Sequence, residues 1–310
     1  MYKVLNIKNI ASLLLVSLVI IALLIGKSLN KSQTNNTNKL QVSTSFYPLY
    51  FFASEIGKDK TEVKNITPSG SEPHDYDPST QDIARTEHSN MLVLNGGVEA
   101  WGDKIKENLK ATKVKIVIAG DGLLTQTVNE DGKSQIDPHI WLNPQLAKKE
   151  AHAITQGYID IDPKNKTYYQ DNEKSLDDRL DQLDEKFRKG LQNCQLKDII
   201  TSHAAFGYLA SRYGLKQIPI AGLSPDAEPS AQQLAEVAKF AKEHTIKYIF
   251  FESLVSPKLS ETIAKEIGAK TLVLDPIERL SDNDIKQGKN YFTAMEDNLK
   301  NLQEALQCSK

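Results

Sequence analysis

Beyond residue 40 the chain alternates short apolar runs with stretches whose apolar residues recur every three or four positions. The short runs read as strands and the 3.6-residue pattern as amphipathic helices. Strands are expected at 42–45, 63–66, 91–94 and 115–118, with helices at 48–57, 81–88 and 101–109 between or beside them. The middle of the chain differs. Asn143-Pro144 opens a helix to about residue 159, and Asp162-Pro163 opens a longer one to about 191. Proline suits a first helical position, where its missing N–H is not needed. Tyr169, Leu176, Leu180, Leu183, Phe187 and Leu191 form one apolar stripe among Asp, Glu, Gln, Lys and Arg. That is the pattern of a solvated helix packed along one side, roughly 43 Å long. After Cys194 the alternation resumes, with strands expected at 197–201, 217–220, 246–251 and 270–274. Helices are expected at 204–213, 230–244, 257–267 and 292–308.

Repeated strand and crossover helix define an α/β protein. The expected architecture is two lobes, each a small parallel-type sheet flanked by helices, joined by one long rigid helix. The boundaries follow as 40–161 for the first lobe, 162–193 for the linking helix and 194–310 for the second lobe. Residues 1–39 stand apart. Residues 10–26 form an uncharged apolar run bounded by Lys8 and Lys27. As a helix the run would be about 26 Å long, near the lower limit for spanning a bilayer. It reads as an uncleaved membrane anchor or a cleaved export signal, and no A-x-A site follows it. Either reading puts the body outside the cytoplasm. The segment up to Lys39 is rich in Asn, Ser and Thr and reads as a polar tether.

Composition sharpens this picture. The net charge of −2 includes Lys3, Lys8, Lys27 and Lys31 at the N-terminal end, so the body is more acidic than the total suggests. An acidic body argues against a general nucleic-acid binder, which needs a basic surface. The two cysteines, Cys194 and Cys308, allow one pairing. They form either a disulfide, which export favours, or two free thiols. A disulfide would stabilise the fold by roughly 4–5 kcal/mol in the chain-entropy account.

The six histidines divide by context. His88, His152 and His244 lie in or at the ends of polar helices and read as surface residues. His74, in SGSEPHDYDPST, His139, in QIDPHIWLNP, and His203, in IITSHAAFGY, sit at strand or loop ends. Asp275, in LVLDPIERL, ends an apolar strand, where a carboxylate is costly unless paired or metal-bound. Three imidazoles and a carboxylate, two from each lobe, would make a tetrahedral zinc-type set. No local motif enforces their convergence, and hydrogen-bonding loop residues are the alternative. Glu72, Asp75 and Asp137 flank the expected ligands and could orient an imidazole. Glu252 is either a similar partner or a cap or salt-bridge group.

Several phrases resemble the metal-binding subunit of bacterial ABC importers for zinc and manganese, the cluster A-I solute-binding family. They are TSFYPLYFFASEI, ITPSGSEPHDYDPSTQDI, LVLNGGVEAW, DPHIWLNP, TSHAAFGYLASRYGL, SPDAEPSAQQLAEV and FFES through KTLVLDPIERL, in family order. The resemblance implies ligands at His74, His139, His203 and Asp275, a long helix between the lobes, and delivery of the metal to a membrane permease. A histidine at position 203 leans toward zinc, because a third imidazole suits zinc better than manganese. Manganese is the alternative cargo. Two departures stand out. The segment AGDGLLTQTVNEDGKSQIDP has no histidine where many zinc members carry a His-rich loop, and the N-terminal region lacks the lipid-bearing cysteine of Gram-positive members. An enzyme is disfavoured, because four protein ligands leave zinc no open position. A surface adhesin with a structural metal is a further alternative. The body is expected to be monomeric.

Overall fold

The computed structural model describes residues 39–130, 132–225 and 229–309. The apolar run 10–26 lies outside the described residues. Among the described residues no helix is long and apolar enough to cross a membrane.

The first lobe contains β1 (Leu40–Thr44), α1 (Tyr47–Gly57), β2 (Thr61–Asn65), α2 (Thr80–Glu87), β3 (Met91–Leu94), α3 (Gly102–Leu109) and β4 (Lys115–Ile118). Its strands pair in parallel in the order β2-β1-β3-β4. Every residue of β3 is buried, as expected of an inner parallel strand covered on both faces. α2 starts at a reciprocal cap: Ser79 Oγ accepts from the Asp82 N–H, and the Asp82 carboxylate accepts from the Ser79 N–H.

A hairpin follows that the hydrophobic pattern does not announce. β5 (Thr127–Glu130) and β6 (Lys133–Ile136) pair antiparallel, with all of β6 exposed. Gly132, which directly precedes β6, has a left-handed φ of 76°. A D-G pair is a strong hairpin signal. It was masked because strands exposed on both faces carry no apolar alternation.

α4 (Pro144–Ile161) and α5 (Lys166–Leu191) follow. The expected single start at Pro163 resolves into a short 3-10 turn, Pro163–Asn165, before α5 proper. The apolar stripe of α5 is buried along its length, against α1 and α4.

The second lobe repeats the plan with β7 (Asp198–Thr201), α6 (Gly207–Tyr213), β8 (Lys216–Pro219), α7 (Ala231–Glu243), β9 (Tyr248–Phe251), α8 (Lys258–Ile267) and β10 (Lys270–Val273). The order is β10-β9-β7-β8, again parallel. α6 and α8 end at Gly214 and Gly268, whose left-handed φ values of 68° and 73° suit glycine. The short α9 (Asp282–Lys286) and then α10 (Tyr291–Ala305) complete the chain. Cys194 and Cys308 are disulfide-bonded, which ties the end of α10 to the entrance of β7.

The apolar interior has three parts. One cluster fills the outer side of the first lobe around Trp101 and Ile105, and another the outer side of the second around Val237 and Ile263. The largest is continuous from Val42 and Phe46, through Trp141 and the α5 stripe, to Ile277, Tyr291 and Leu306. The lobes are therefore two sheets on one shared core. Trp141, fully buried, joins them: its Nε1–H donates to the Pro276 carbonyl at 2.7 Å, and Tyr291 Oη donates to its carbonyl at 2.6 Å.

Glu150 of α4 is fully buried, and neither carboxylate oxygen has a hydrogen-bond partner among the described residues. Burial first, and then the Glu99 charge, raises its pKa well above the usual 4.5. The folded protein thus keeps a proton that the unfolded chain has lost, and stability falls as pH climbs above that value. One such group removes up to about 1.4 kcal/mol per pH unit. Glu150→Gln should flatten this decline in metal-free protein, gaining stability over wild type at pH 8 relative to pH 5. Denaturant titrations at the two pH values that run parallel for both proteins would contradict it.

Candidate metal centre

The loops that leave the carboxyl ends of the strands meet between the two sheets, where open α/β folds place their ligands. His74 lies in the loop between β2 and α2. His139 follows β6 and opens the turn Ile140–Leu142. His203 follows β7, and its loop is held open before α6 begins. The Ala204 N–H donates to Gly222 and the Phe206 N–H to the side chain of Gln217. Residues 204–206, expected to be helical, are therefore held as a loop ahead of α6.

The three histidines converge, and the carboxylate that joins them is Glu278. The four donor atoms lie within 4.8 Å of one another. Glu278 Oε1 is 3.0 Å from His139 Nε2, 3.4 Å from His74 Nε2 and 3.5 Å from His203 Nε2, and the first two imidazoles approach to 3.3 Å. A tetrahedron of zinc bonds has edges of about 3.3–3.4 Å. The spacing therefore fits one small cation. His203 Nε2 and Glu278 Oε1 are buried without an aligned hydrogen bond, the state that a bound cation would relieve.

Asp275, the expected fourth ligand, does not join the cluster. Its carboxylate accepts from the Ser253 hydroxyl and, at 2.8 Å, from the Ile277 N–H. Its backbone is clamped on both sides by Asn298 of α10. Burial raises its pKa, against the lowering effect of the hydrogen bonds from the Ser253 hydroxyl and the Ile277 N–H. Asp275 thus shapes the turn. Ile277 takes a left-handed φ of 60°, rare for a β-branched residue, and the chain then delivers Glu278 to the imidazoles. DPIE offers two acids at the end of one strand, and side-chain direction after that turn decides between them.

Two imidazoles are oriented through their second nitrogen. His139 Nδ1 lies 2.8 Å from Asp137 Oδ1, and His203 Nδ1 pairs with Glu252, which also accepts from Ser202. Such partners fix ring orientation and tautomer. Of the acids near the expected ligands, Asp137 and Glu252 fill this role. Asp75 instead accepts from Ser224 across the cleft at 2.9 Å. Glu72 accepts from the His74 N–H at 3.2 Å.

Charge is tightly balanced here. Burial alone would lower the pKa of His139 and His203. The carboxylates Asp137 and Glu278 for the first, and Glu252 and Glu278 for the second, outweigh it and raise both. Burial would raise Glu278, but the close approach of the three imidazoles holds it well below the usual range. In the metal-free protein, burial and then the Glu278 charge push Glu72 up to about 8, against the pull of Arg279. A dication at the cluster acts in the opposite direction.

The profile of the family described as zinc-uptake complex component A, periplasmic (ZnuA), matches residues 42–305. The chain belongs to this family. It is 40% identical over 294 residues to the high-affinity zinc uptake system protein ZnuA of Bacillus subtilis, covering 91% of this chain and 92% of that protein. It is 39% identical to the zinc-binding lipoprotein AdcA of Streptococcus pneumoniae over 94% of this chain, but spans only 60% of that longer protein. The Zn(II)-bound ZnuA-like domain of that AdcA superimposes with a TM-score of 0.76 at 38% identity, covering 86% of this chain and 99% of the domain. The laminin-binding protein Lmb of Streptococcus agalactiae, described as a bifunctional protein with adhesin and metal-transporting activity, does so at 0.77 and 34%, covering 86% and 99%. Family membership and the cluster together make this a zinc-type site.

Because His139 and His203 hold their protons above the usual 6.5, a cation that binds them must displace protons. Zinc affinity should weaken steadily as pH falls from 8 to 6. Calorimetry in buffers of different ionisation enthalpy should show net proton release. Buffer-independent heats and a flat affinity profile would refute this.

Proposed function

We propose that this chain is the extracytoplasmic zinc-binding subunit of an ABC importer, which captures Zn2+ between its lobes and passes it to a membrane permease. The observation that carries the reading is the convergence of His74, His139, His203 and Glu278, whose donor atoms all lie within 4.8 Å of one another. Three nitrogens and one oxygen suit zinc, whereas manganese favours carboxylate-rich, higher-coordinate sites. Four protein donors fill the tetrahedron and leave no position for an activated water, which argues for capture rather than hydrolysis. The ion is cargo. Relatives of 92% and 60% coverage carry zinc-uptake and zinc-binding names, which supports the same cargo here. The apolar run 10–26 and its flanking lysines support attachment to the outer face of the cell membrane.

The likeness to laminin-binding streptococcal proteins favours a second reading, adhesion as an added activity of the same fold. It makes a separable demand, since attachment to a host protein need not use the cluster.

Calorimetric titration of the full chain in mild detergent tests both. One zinc per chain is expected, displacing manganese. His203→Ala and Glu278→Ala should each weaken zinc by about a hundredfold or more, beyond the 10–100-fold typical of residues one shell out. Asp275→Asn should cost less than either, within the range of about 10–100-fold for a residue that positions a ligand without donating to the ion. Preference for manganese would overturn the cargo, and an equal loss in Asp275→Asn would overturn the ligand set. Laminin binding that persists in His203→Ala and Glu278→Ala would establish the adhesive reading.

A further inference from the structure

We propose that Glu72 and Arg279 form a latch across the rim of the cleft that sets how fast zinc leaves. The inference rests on the zinc-capture reading. Glu72 belongs to the first-lobe loop that carries His74, and Arg279 directly follows Glu278 in the second lobe. Arg279 Nη1 lies 3.0 Å from Glu72 Oε2, a close ionic contact whose alignment falls short of a hydrogen bond. Both side chains are largely covered, at 12% and 8% exposure. The other Glu72 oxygen accepts from the His74 N–H at 3.2 Å. One carboxylate therefore connects the backbone of the first ligand to the neighbour of the fourth. Arg279 is itself steadied from behind, where Nη2 approaches the Leu254 carbonyl at 3.4 Å.

Three features make this contact a control point. Apart from the histidine–carboxylate contacts of the cluster, it is the one ion pair among the described residues that joins the two lobes directly. The cluster is also unevenly braced. His139 and His203 are fully covered and each has a carboxylate on Nδ1. The His74 side chain is 10% exposed, and its neighbouring carboxylate reaches its backbone instead. His74 is thus the ligand nearest solvent and the one whose hold depends on Glu72. Finally, the shared core beneath the site makes wholesale separation of the sheets costly in exposed apolar area. Release by parting the loops at the rim avoids that cost, and parting them breaks the Glu72–Arg279 contact. Both residues are positioning residues, since neither donates to the cluster.

The test is zinc release from the full chain in mild detergent, followed by stopped flow into excess EDTA. It compares wild type, Glu72→Gln, Arg279→Gln and the double variant. Each single variant should release zinc about tenfold faster or more, with association changed less than about twofold, because a contact made after capture acts on dissociation. The double variant should be no faster than the faster single, the non-additivity of a coupled pair. Arg279→Lys, which keeps the charge, should fall back toward wild type and guards against a misfolded glutamine variant. Release rates of all variants within twofold of wild type would overturn the latch, as would single effects that multiply in the double. Wild type that binds no stoichiometric zinc would instead overturn the functional reading beneath it.

Discussion

Everything at the centre of this protein depends on one buried carboxylate shared by three imidazoles. Glu278 is 2% exposed and lies within 3.5 Å of a nitrogen on each of three histidines. An isolated buried carboxylate is costly, and an isolated buried imidazolium equally so. Each is tolerated because the other is present, and a dication can replace the protons that the cluster holds. Asp137 and Glu252 extend the balance outward by fixing two of the rings.

Keeping donors from both lobes together needs lobes that do not wander. Many two-lobed proteins rely on polar interfaces that permit motion. Here an apolar core runs without interruption from β1 through the stripe of α5 to α10, with Trp141 hydrogen-bonded to the second lobe above it. The disulfide fastens the far end of α10 to the start of β7. The frame is held from below, and freedom is left to the loops at the rim. Those loops carry the ligands and the contacts between Glu72 and Arg279 and between Asp75 and Ser224. A rigid base with adjustable lips suits a protein that must grip a cation firmly and still surrender it.

Much of this was legible in the chain itself. Short apolar runs placed all eight strands of the two parallel sheets and the 3.6-residue pattern most of the helices, because buried strands and amphipathic helices must display their burial in sequence. The α5 stripe announced one long supporting helix. Three histidines at loop or strand ends, set against three in polar helices, separated the histidines that converge from those on the surface. The exposed hairpin 127–136 escaped notice, because strands with no buried face leave no hydrophobic signature. α6 starts at Gly207 rather than 204, and Gln217 and Gly222 hold the preceding backbone in a loop that sequence spacing does not reveal.

The sequence by itself determined the fold class, the order of strands and main helices in the two lobes, three candidate histidines and the kind of metal they suit. These follow from local periodicity and from the chemistry of side chains, which do not require knowing what lies opposite. Only the tertiary structure decided which acid completes the set. Asp275 and Glu278 stand three residues apart on one loop with the same charge. The difference lies in a left-handed turn at Ile277 and in the hydrogen bonds from Ser253 and the Ile277 N–H that occupy Asp275. Which carboxylate serves which histidine was likewise open until the loops met. Direction in space, after the chain has turned, is the quantity that spacing along a sequence does not carry.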